Sequence, residues 1–399
     1  MVKKPVLVIT DIHDWSYFQW FLLGFYRLQS SSELQVRIHS HSVLEWILNH
    51  SSNYFLSHVA FHFLWRFRRN KTILGNYYCD GFLELPDGRR KTFTIDHADT
   101  PYMYDLNRLK TKDVYFKMQY PICIEDEAFH LTDTIDIPWI DSENIDSKYR
   151  KKQTLSARKI IKNFHQYLPK IKPLMVGPRR LSFGNSSALL EKGFKNYRKE
   201  FRQEKTKNGM CYFGNAKGPK PSEHLQHPDF GWEADLEGWF KEKICHPNFK
   251  RAIIADYLYS MGYDARIISR ENSDTGRGEN TQSIVPLDKF CQFISTFKYN
   301  FNVSGYGTSI PNRFIESFMV GTGIITDKLH CRWYQPFDDE VKETVPMGYL
   351  PMDKVDWDQF KRDVETLKDS HPERINEAFR TKWAPEIVAE YIIKTIAEA

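Results

Sequence analysis

The chain has 399 residues, of which 41% are hydrophobic, 15% aromatic and 27% charged, and its formal net charge is +5. This length predicts one to three domains with a sizeable apolar core, and the mild positive charge is only a weak hint of an anionic partner such as a nucleotide, an anionic glycan, a membrane surface or nucleic acid. The six cysteines are scattered without C-x-x-C spacing, which argues against a zinc site and a disulfide framework and favours reduced thiols in a cytoplasm.

The N-terminal stretch MVKKPVLVITD is not typical of a signal peptide, because its apolar run is short and ends at Asp11. No apolar run reaches the length of a membrane span. The nearest is 54–67, YFLSHVAFHFLWRF, which precedes Arg68, Arg69 and Lys71. This pattern favours a core helix of an N-terminal domain, and the alternative is a peripheral contact with anionic lipids. We therefore expect a cytoplasmic protein, either free or peripheral to the inner face of the membrane.

The N-terminal half begins with the pattern of a doubly wound α/β domain. Its predicted elements are an apolar strand at 6–10, an apolar helix at 15–28, a strand at 35–39, a hairpin about a turn at 86–88, and a strand at 113–118. Polar residues lie at the ends of these strands, at Asp11, Asp96 and Lys117. A parallel sheet would place them along one edge, which suits the rim of an active site.

The second half of the chain also has α/β patterning. Its predicted elements are strands at 210–213 and 265–269, helices at 247–261 and 287–297, and closing helices at 353–367 and 372–399. We predict domains at 1–175 and 176–375, with 376–399 packing back across the domain junction. The predicted fold is therefore α/β, with two Rossmann-like domains that face each other across a cleft.

One segment, 298–337, predicts a complete strand–loop–helix–strand unit. Its predicted elements are a strand at 298–303, a helix at 312–320 and a strand at 323–326. Gly305 and Gly307 bracket Tyr306 in the loop after the first strand. In open α/β sheets, ligands bind at loops of this kind, outside the carboxyl ends of the strands.

The start of this helix has the composition of an anion site. A hydroxyl such as Ser309 can cap a helix, and Pro311 is tolerated in its first turn. Asn312, Arg313 and Glu316 fall on one side of the first turns. The N–H groups of a helix N-terminus and the Arg313 side chain suit a diphosphate, and the Glu316 carboxylate suits sugar hydroxyls. The alternative is a tight crossover in which Arg313 and Glu316 form a surface pair.

This pattern resembles the donor-site region of exostosin-type and related glycosyltransferases. The matching positions are Ser309, Arg313, Glu316, Gly321, Asp327, Pro336 and Phe337. The wider layout is similar to the two-Rossmann (GT-B type) glycosyltransferase fold. The N-terminal half contains no matching motif, so it takes no catalytic residue from the resemblance.

The resemblance implies transfer of a sugar from a nucleotide-activated donor to a hydroxyl of a glycan or lipid-linked glycan acceptor, in surface polysaccharide synthesis. The C-terminal domain would hold the nucleotide sugar and the N-terminal domain the acceptor. Enzymes of this kind commonly invert the anomeric centre and use neither a metal nor another cofactor, because a helix N-terminus and basic side chains stabilise the departing diphosphate. The D-x-D motif at 356–358 is interpreted as a helix cap.

An inverting transfer needs a base that takes the proton of the acceptor hydroxyl. The candidates are Asp11 and His13 after the first strand, which we favour, and Asp96 at a later strand end. For the nucleotide sugar, the predicted binding residues are Gly305, Tyr306, Gly307, Ser309, Asn312, Arg313, Glu316 and Arg270. Tyr306 is either a stacking partner for the base of the nucleotide or a hydrophobic plug.

Two other functions remain open from the sequence. One is a glycan-binding or scaffold protein without turnover, and the other is an epimerase or phosphorylase, since a fold alone does not set the reaction. Nucleic-acid binding is least favoured, because the basic residues are spread along the chain and form no recognisable motif. The sequence does not indicate the donor sugar, the acceptor or the oligomeric state.

Overall fold

The computed structural model describes residues 3–13, 15–69, 78–97, 104–125, 165–198, 209–215, 254–255, 257–268, 281–282, 287–303, 309–347, 355–366 and 372–399. Twelve of its described strands form two six-stranded sheets, one from each half of the chain, with helices packed on them, and two short strands, one from each half, pair antiparallel with each other. The predicted α/β fold with two Rossmann-like domains is therefore confirmed.

The first sheet belongs to the N-terminal half. The elements of this half are β1 Val6–Ile12, α1 Trp15–Ser30, β2 Gln35–Ile38, α2 Val43–His50, α3 Tyr54–Arg69, β3 Tyr78–Glu84, β4 Arg90–Asp96, α4 Leu106–Thr111, β5 Val114–Lys117, β6 Tyr120–Pro121, β7 Ile171–Pro173 and α5 Ser187–Arg198. The strand order is β2-β1-β3-β4-β5-β7. The neighbours pair in parallel except for β3, which runs antiparallel to both β1 and β4.

The antiparallel strand β3 departs from the predicted parallel sheet. The hairpin predicted about 86–88 is present as β3–β4, but β3 also inserts between β1 and β4. Tyr78, at the start of β3, pairs with Asp96 at the end of β4, so the carboxyl ends of β1 and β4 lie at the same edge with one strand between them. Adjacent strands are about 4.8 Å apart, which separates the ends of β1 and β4 by about 10 Å.

The second sheet belongs to the C-terminal half. The elements of this half are β8 Met210–Asn215, β9 Asp264–Ile268, β10 Thr281–Gln282, α6 Leu287–Ser295, β11 Tyr299–Asn302, α7 Arg313–Phe318, β12 Gly323–Thr326, β13 Cys331–Arg332, β14 Val341–Glu343, α8 Trp357–Thr366, α9 Pro372–Ala378 and α10 Pro385–Glu398. The strand order is β10-β9-β8-β11-β12-β14, and the pairs are parallel. Phe290 and Ile294 of α6 pack on one face, and Phe360 of α8 packs on the other.

The chain changes direction in the second sheet between β8 and β11. From β8 it moves outward through β9 to β10, and from β11 it moves outward on the other side through β12 to β14. The adjacent strands β8 and β11 therefore flank a topological switch point. In doubly wound sheets, the crevice beyond the carboxyl ends of such strands is the usual ligand site.

The C-terminal helix α10 returns to the first half of the chain, as predicted. It packs against α1, and Arg27 of α1 donates a 2.7 Å hydrogen bond to Glu386. A Cβ at Gly24 would lie 2.0 Å from the carbonyl oxygen of Pro385, so only glycine permits this approach of the two helices. The predicted domain boundaries stay predictions, although α5, beyond residue 175, also packs on α1 through a 5.7 Å ring contact of Phe194 with Trp20.

Candidate functional site

The carboxyl edges of the two sheets meet at a junction. Gln119, two residues past β5, donates a 2.9 Å hydrogen bond to the carbonyl of Ile310 and accepts a 2.8 Å bond from its N–H. Asn312 donates a 2.6 Å bond to the carbonyl of Gly177, in the segment after β7. The residues that follow β5 and β7 therefore contact the residues that follow β11.

The helix α7 is shorter than predicted and begins later than the predicted hydroxyl cap. It spans Arg313–Phe318, with Asn312 at the N-cap position and no capping hydrogen bond from its side chain, because that amide bonds Gly177. Ser309 lies before the helix and is buried. The helix ends early because Gly321 has φ 64°, a left-handed conformation that breaks helical hydrogen bonding.

Glu316 of α7 is fully buried and binds Arg179 from the other half of the chain. Its carboxylate accepts 3.0 Å bonds from the backbone N–H and Nε of Arg179, and a 3.2 Å bond from Nη2. The interpretation of Glu316 as part of a surface pair with Arg313 is therefore wrong. The carboxylate raises the pKa of Arg179 above its ordinary value. The Arg179 side chain is 44% exposed, so this cation is both held in place and accessible at the junction.

Two asparagines of β11 are functional candidates that sequence reasoning missed. Asn300 donates a 3.0 Å bond to the hydroxyl of Ser317 in α7. Asn302, at the carboxyl end of β11, is fully buried, and its side-chain nitrogen and oxygen have no hydrogen-bond partner. Burying such an amide unpaired costs about 1–3 kcal/mol, which a polar ligand would offset. The alternation N-x-N at a strand end was the available signal, because alternate residues share one face of a sheet.

On the first sheet, Asp11 and His13 form a pair at the end of β1. The Nε2 atom of His13 lies 3.0 Å from Oδ2 of Asp11, and the side chains are 20% and 34% exposed. Asp11 was predicted in the loop after the strand, but β1 extends through Ile12 and includes it. The backbone N–H of His13 donates to the carbonyl of Tyr78, which fixes the pair at the edge of the sheet.

Asp96, at the end of β4, lies in a different environment. It is fully buried and accepts a 2.8 Å bond from Nζ of Lys117 and a 2.7 Å bond from the phenol of Tyr115. Burial, followed by the Asp96 charge, raises the pKa of Tyr115, so the phenol stays a donor. Asp96 is thus enclosed by Lys117 and Tyr115 without exposed surface, so it is poorly placed to meet a substrate.

His97 follows Asp96 and is also buried. Its ring stacks on Tyr17 at 4.5 Å and meets Phe18 edge-on at 5.2 Å. Burial, with smaller effects of Lys117 and His13, lowers the pKa of His97 to about 3. The ring is therefore uncharged near pH 7, and it packs on α1 through its contacts with Tyr17 and Phe18.

Several predicted residues cannot be placed. Gly305, Tyr306, Gly307 and Arg270 lie outside the described residues.

Asp356 accepts a 2.8 Å bond from the N–H of Gln359 at the start of α8, as the interpretation of the D-x-D motif as a helix cap predicts. Within the described ranges, no group of three or more His, Cys, Asp or Glu side chains is arranged to hold a metal ion. The expectation that the reaction needs no metal stays a prediction.

Comparison with known proteins gives little further information. No protein family model and no curated protein matches the chain. The chain is similar to the crystal structure of the GtfA/B complex, with 9% identity and a TM-score of 0.33, over 81% of this chain and 70% of that one. It is also similar to WaaG, a glycosyltransferase involved in lipopolysaccharide biosynthesis, with 10% identity and a TM-score of 0.29, over 96% and 91% of the two chains. At these low scores the likenesses carry no argument about fold or function, and the resemblance to exostosin-type enzymes stays a prediction.

Proposed function

We propose that the protein is a glycosyltransferase that moves a sugar from a nucleotide-activated donor to a hydroxyl of a glycan or lipid-linked glycan acceptor. The observation that carries this proposal is the meeting of two carboxyl edges at one junction, each with polar residues at the ends of its strands. Each edge is of the type that binds a ligand in α/β proteins. Two such edges that face each other suit a reaction between two substrates.

The donor side of the junction is formed by β11 and α7. The unpaired amide of Asn302 offers donors and an acceptor to a polar ligand, as the hydroxyls of a ribose or sugar require. The exposed part of Arg179 and the side chain of Arg313 supply positive charge for a diphosphate. Charge of this kind stabilises the leaving group as its negative charge develops, so the proposed reaction does not depend on a metal.

The acceptor side is formed by the end of β1. His13 is the proposed base, and Asp11 orients its ring and stabilises the imidazolium. The acceptor oxygen attacks the anomeric carbon as its proton passes to His13. The bond between that carbon and the diphosphate oxygen breaks, and its electron pair leaves with the diphosphate. Attack from the face opposite the leaving group inverts the anomeric centre.

Calorimetry with UDP, GDP, CDP and their sugar conjugates tests the donor half of this proposal. We expect one nucleotide family to bind, and Arg313→Ala to weaken binding of the diphosphate but not of the corresponding nucleoside. Arg362→Ala, which removes an exposed arginine of α8, is the matched control and leaves both affinities unchanged. Absence of binding to every nucleotide and nucleotide sugar at millimolar concentration would refute the proposal.

Product analysis tests the reaction itself. With donor and a mixture of glycan acceptors, we expect free nucleoside diphosphate and a glycosylated product. With donor alone, formation of an isomeric nucleotide sugar would instead identify an epimerase. Retained glycan binding without any release of diphosphate would identify a binding protein.

A further inference from the structure

Helices α2 and α3 expose an unusual amount of apolar surface. We call this surface the aromatic face and define it by six side chains. They are Val43, Trp46, Tyr54, Phe55, Leu56 and Phe63, which are 75%, 57%, 51%, 71%, 47% and 53% exposed. The other large hydrophobic side chains with comparable exposure in the described residues are Ile122 and Tyr259. The exposed apolar residues are therefore concentrated on two helices that pack against each other.

The opposite side of α3 is already used in the core. Ser57, Ala60, Phe61 and Leu64 are all buried, at the three- and four-residue spacing of a helix face. Phe61 meets the ring of Trp15 in α1 at 6.2 Å. The prediction of a core helix is thus correct for one side of α3 only. The aromatic face is a second apolar side: its Tyr54 ring meets Phe183 edge-on at 5.7 Å, and all six of its side chains stay at least 47% exposed.

The charged residues in the sequence of α2, α3 and the positions just after them favour an anionic partner. Between residues 43 and 71 the only acidic residue is Glu45, which is buried and accepts a bond from the N–H of His41. The same stretch ends with four basic residues. They are Arg66, Arg68, Arg69 and Lys71. Tryptophan, tyrosine and phenylalanine on one side of a helix, with arginine or lysine nearby, are typical of segments that lie in the interface of a membrane.

A second copy of the chain is a poorer occupant of this face. A two-fold interface places the same surface of each copy against the other, so a stretch whose sequence has four basic residues and one buried acidic residue would meet its own like charges. Like charges brought together in this way oppose association. An anionic lipid surface instead attracts them. In the described residues no helix is long and apolar enough to cross a membrane, so the contact would be with the surface of the bilayer.

We propose that the aromatic face docks the protein on a bilayer that contains anionic lipids. Helix α3, which carries part of this face, lies close to the junction of the two sheets, because Arg180 stacks on its Phe61 at 4.1 Å while the neighbouring Arg179 binds Glu316. A docked protein therefore holds the junction near the lipid surface. That the acceptor is itself lipid-linked rests on the proposed function, whereas the docking does not.

Sedimentation with vesicles tests the docking. The unaltered protein is mixed with vesicles of phosphatidylcholine alone and with vesicles of equal parts phosphatidylcholine and phosphatidylglycerol. We expect binding to the mixed vesicles, weaker binding to phosphatidylcholine, and loss of the difference at high salt, which screens the charges. The double variant Phe55→Ser with Phe63→Ser removes two exposed side chains, and we expect about a tenfold loss of affinity or more.

Two further variants make the test specific. Tyr259→Ser removes a side chain that is 59% exposed outside the aromatic face, and we expect unchanged vesicle binding. Arg68→Gln with Arg69→Gln should remove most of the preference for phosphatidylglycerol. All variants are checked for an unchanged melting temperature. Substitutions at exposed side chains such as Phe55, Phe63 and Tyr259 usually change stability little.

The docking is overturned if the unaltered protein does not bind the mixed vesicles, or if the double phenylalanine variant binds them as Tyr259→Ser does. It is also overturned if light scattering shows a dimer that the double variant abolishes while neither protein binds vesicles. No nucleotide sugar is present in these measurements. Failure of the docking is therefore distinct from failure of the proposed transfer reaction.

Discussion

The two carboxyl edges differ in how their buried polar groups are satisfied. At the first sheet, Asp96 is bound by both Lys117 and Tyr115. At the second sheet, Asn302 is equally buried and its amide has no hydrogen-bond partner. Buried polar groups are normally paired, so a paired group stabilises the fold and an unpaired one is a candidate for binding. Asp96 therefore holds the fold together through its two partners, and Asn302 is the candidate for binding a ligand.

The largest expected effect comes from replacing His13, the proposed base at the same sheet edge as Asp96. His13→Ala should lower kcat about 10²–10⁴-fold, which is the usual contribution of a general base, while donor affinity stays unchanged. His39→Ala is the matched control, because His39 follows β2 at the same edge and is exposed. If instead Asp96→Asn removes transfer and His13→Ala does not, the roles assigned at this edge are reversed.

The ion pair of Asp96 gives the next effect, on stability. Lys117→Met leaves a buried carboxylate without its cation, and we expect a loss of about 3–5 kcal/mol in the free energy of unfolding. Denaturation with urea measures the loss. Adding Asp96→Asn to this variant should restore part of the stability, because it removes the unpaired charge. A loss of less than about 1 kcal/mol in the single variant would contradict a structural role for the pair.

The unpaired amide of Asn302 predicts opposite changes in stability and binding. Asn302→Leu keeps a similar volume without polar atoms, so we expect the free energy of unfolding to stay equal or to rise by about 1–3 kcal/mol. The same variant should weaken nucleotide-sugar binding about tenfold in calorimetry. Asn300→Leu is the comparison variant, and it should lower stability because it breaks the bond to Ser317. Unchanged donor affinity in Asn302→Leu would remove Asn302 from the site.

The last effect is absent at neutral pH and appears only on acidification. The pKa of His97 is lowered from an ordinary 6.5 to about 3 by burial, so between these values the unfolded chain binds a proton that the folded chain does not. Stability from this group is therefore complete above about pH 6.5 and is lost as the pH falls towards 3. His97→Phe should keep the stack on Tyr17 and reduce the fall in melting temperature on acidification. Some fall should remain, because burial also lowers the pKa of His330 to about 4. An unchanged acid slope in His97→Phe would contradict the burial of this histidine.

Local patterns predicted much of the fold. Apolar runs at β1 and β11, and the turn between β3 and β4, are visible in short windows of sequence. The direction and place of β3 are not, because strand pairing is decided by residues far apart along the chain. The helix α7 lies within the predicted range but is shorter, spanning Arg313–Phe318, and the left-handed Gly321 follows it.

The candidate site was predicted less completely than the fold. Glu316 is predicted from the sequence to bind sugar hydroxyls, and this stays a prediction; its partner Arg179 lies 137 positions away along the chain. Asp11 and Asp96 look alike as strand ends in the sequence. They differ in the structure because Asp96 is fully buried and accepts a 2.8 Å bond from Lys117, whereas the Asp11 side chain is 34% exposed and lies 3.0 Å from His13. Environments of this kind come from tertiary contacts, which single residues and their spacing do not encode.

The contact between α1 and α10 has a consequence for biosynthesis. Trp20 donates a hydrogen bond to the carbonyl of Trp383, which the ribosome adds 363 positions later. The close contact between the backbones of Gly24 and Pro385 likewise cannot form before Pro385 has been added. Domains commonly fold in turn as they emerge during translation. Here the first sheet emerges early with one side of its first helix uncovered, so the nascent chain should need a chaperone, or tolerate a long exposure, until α10 has been made.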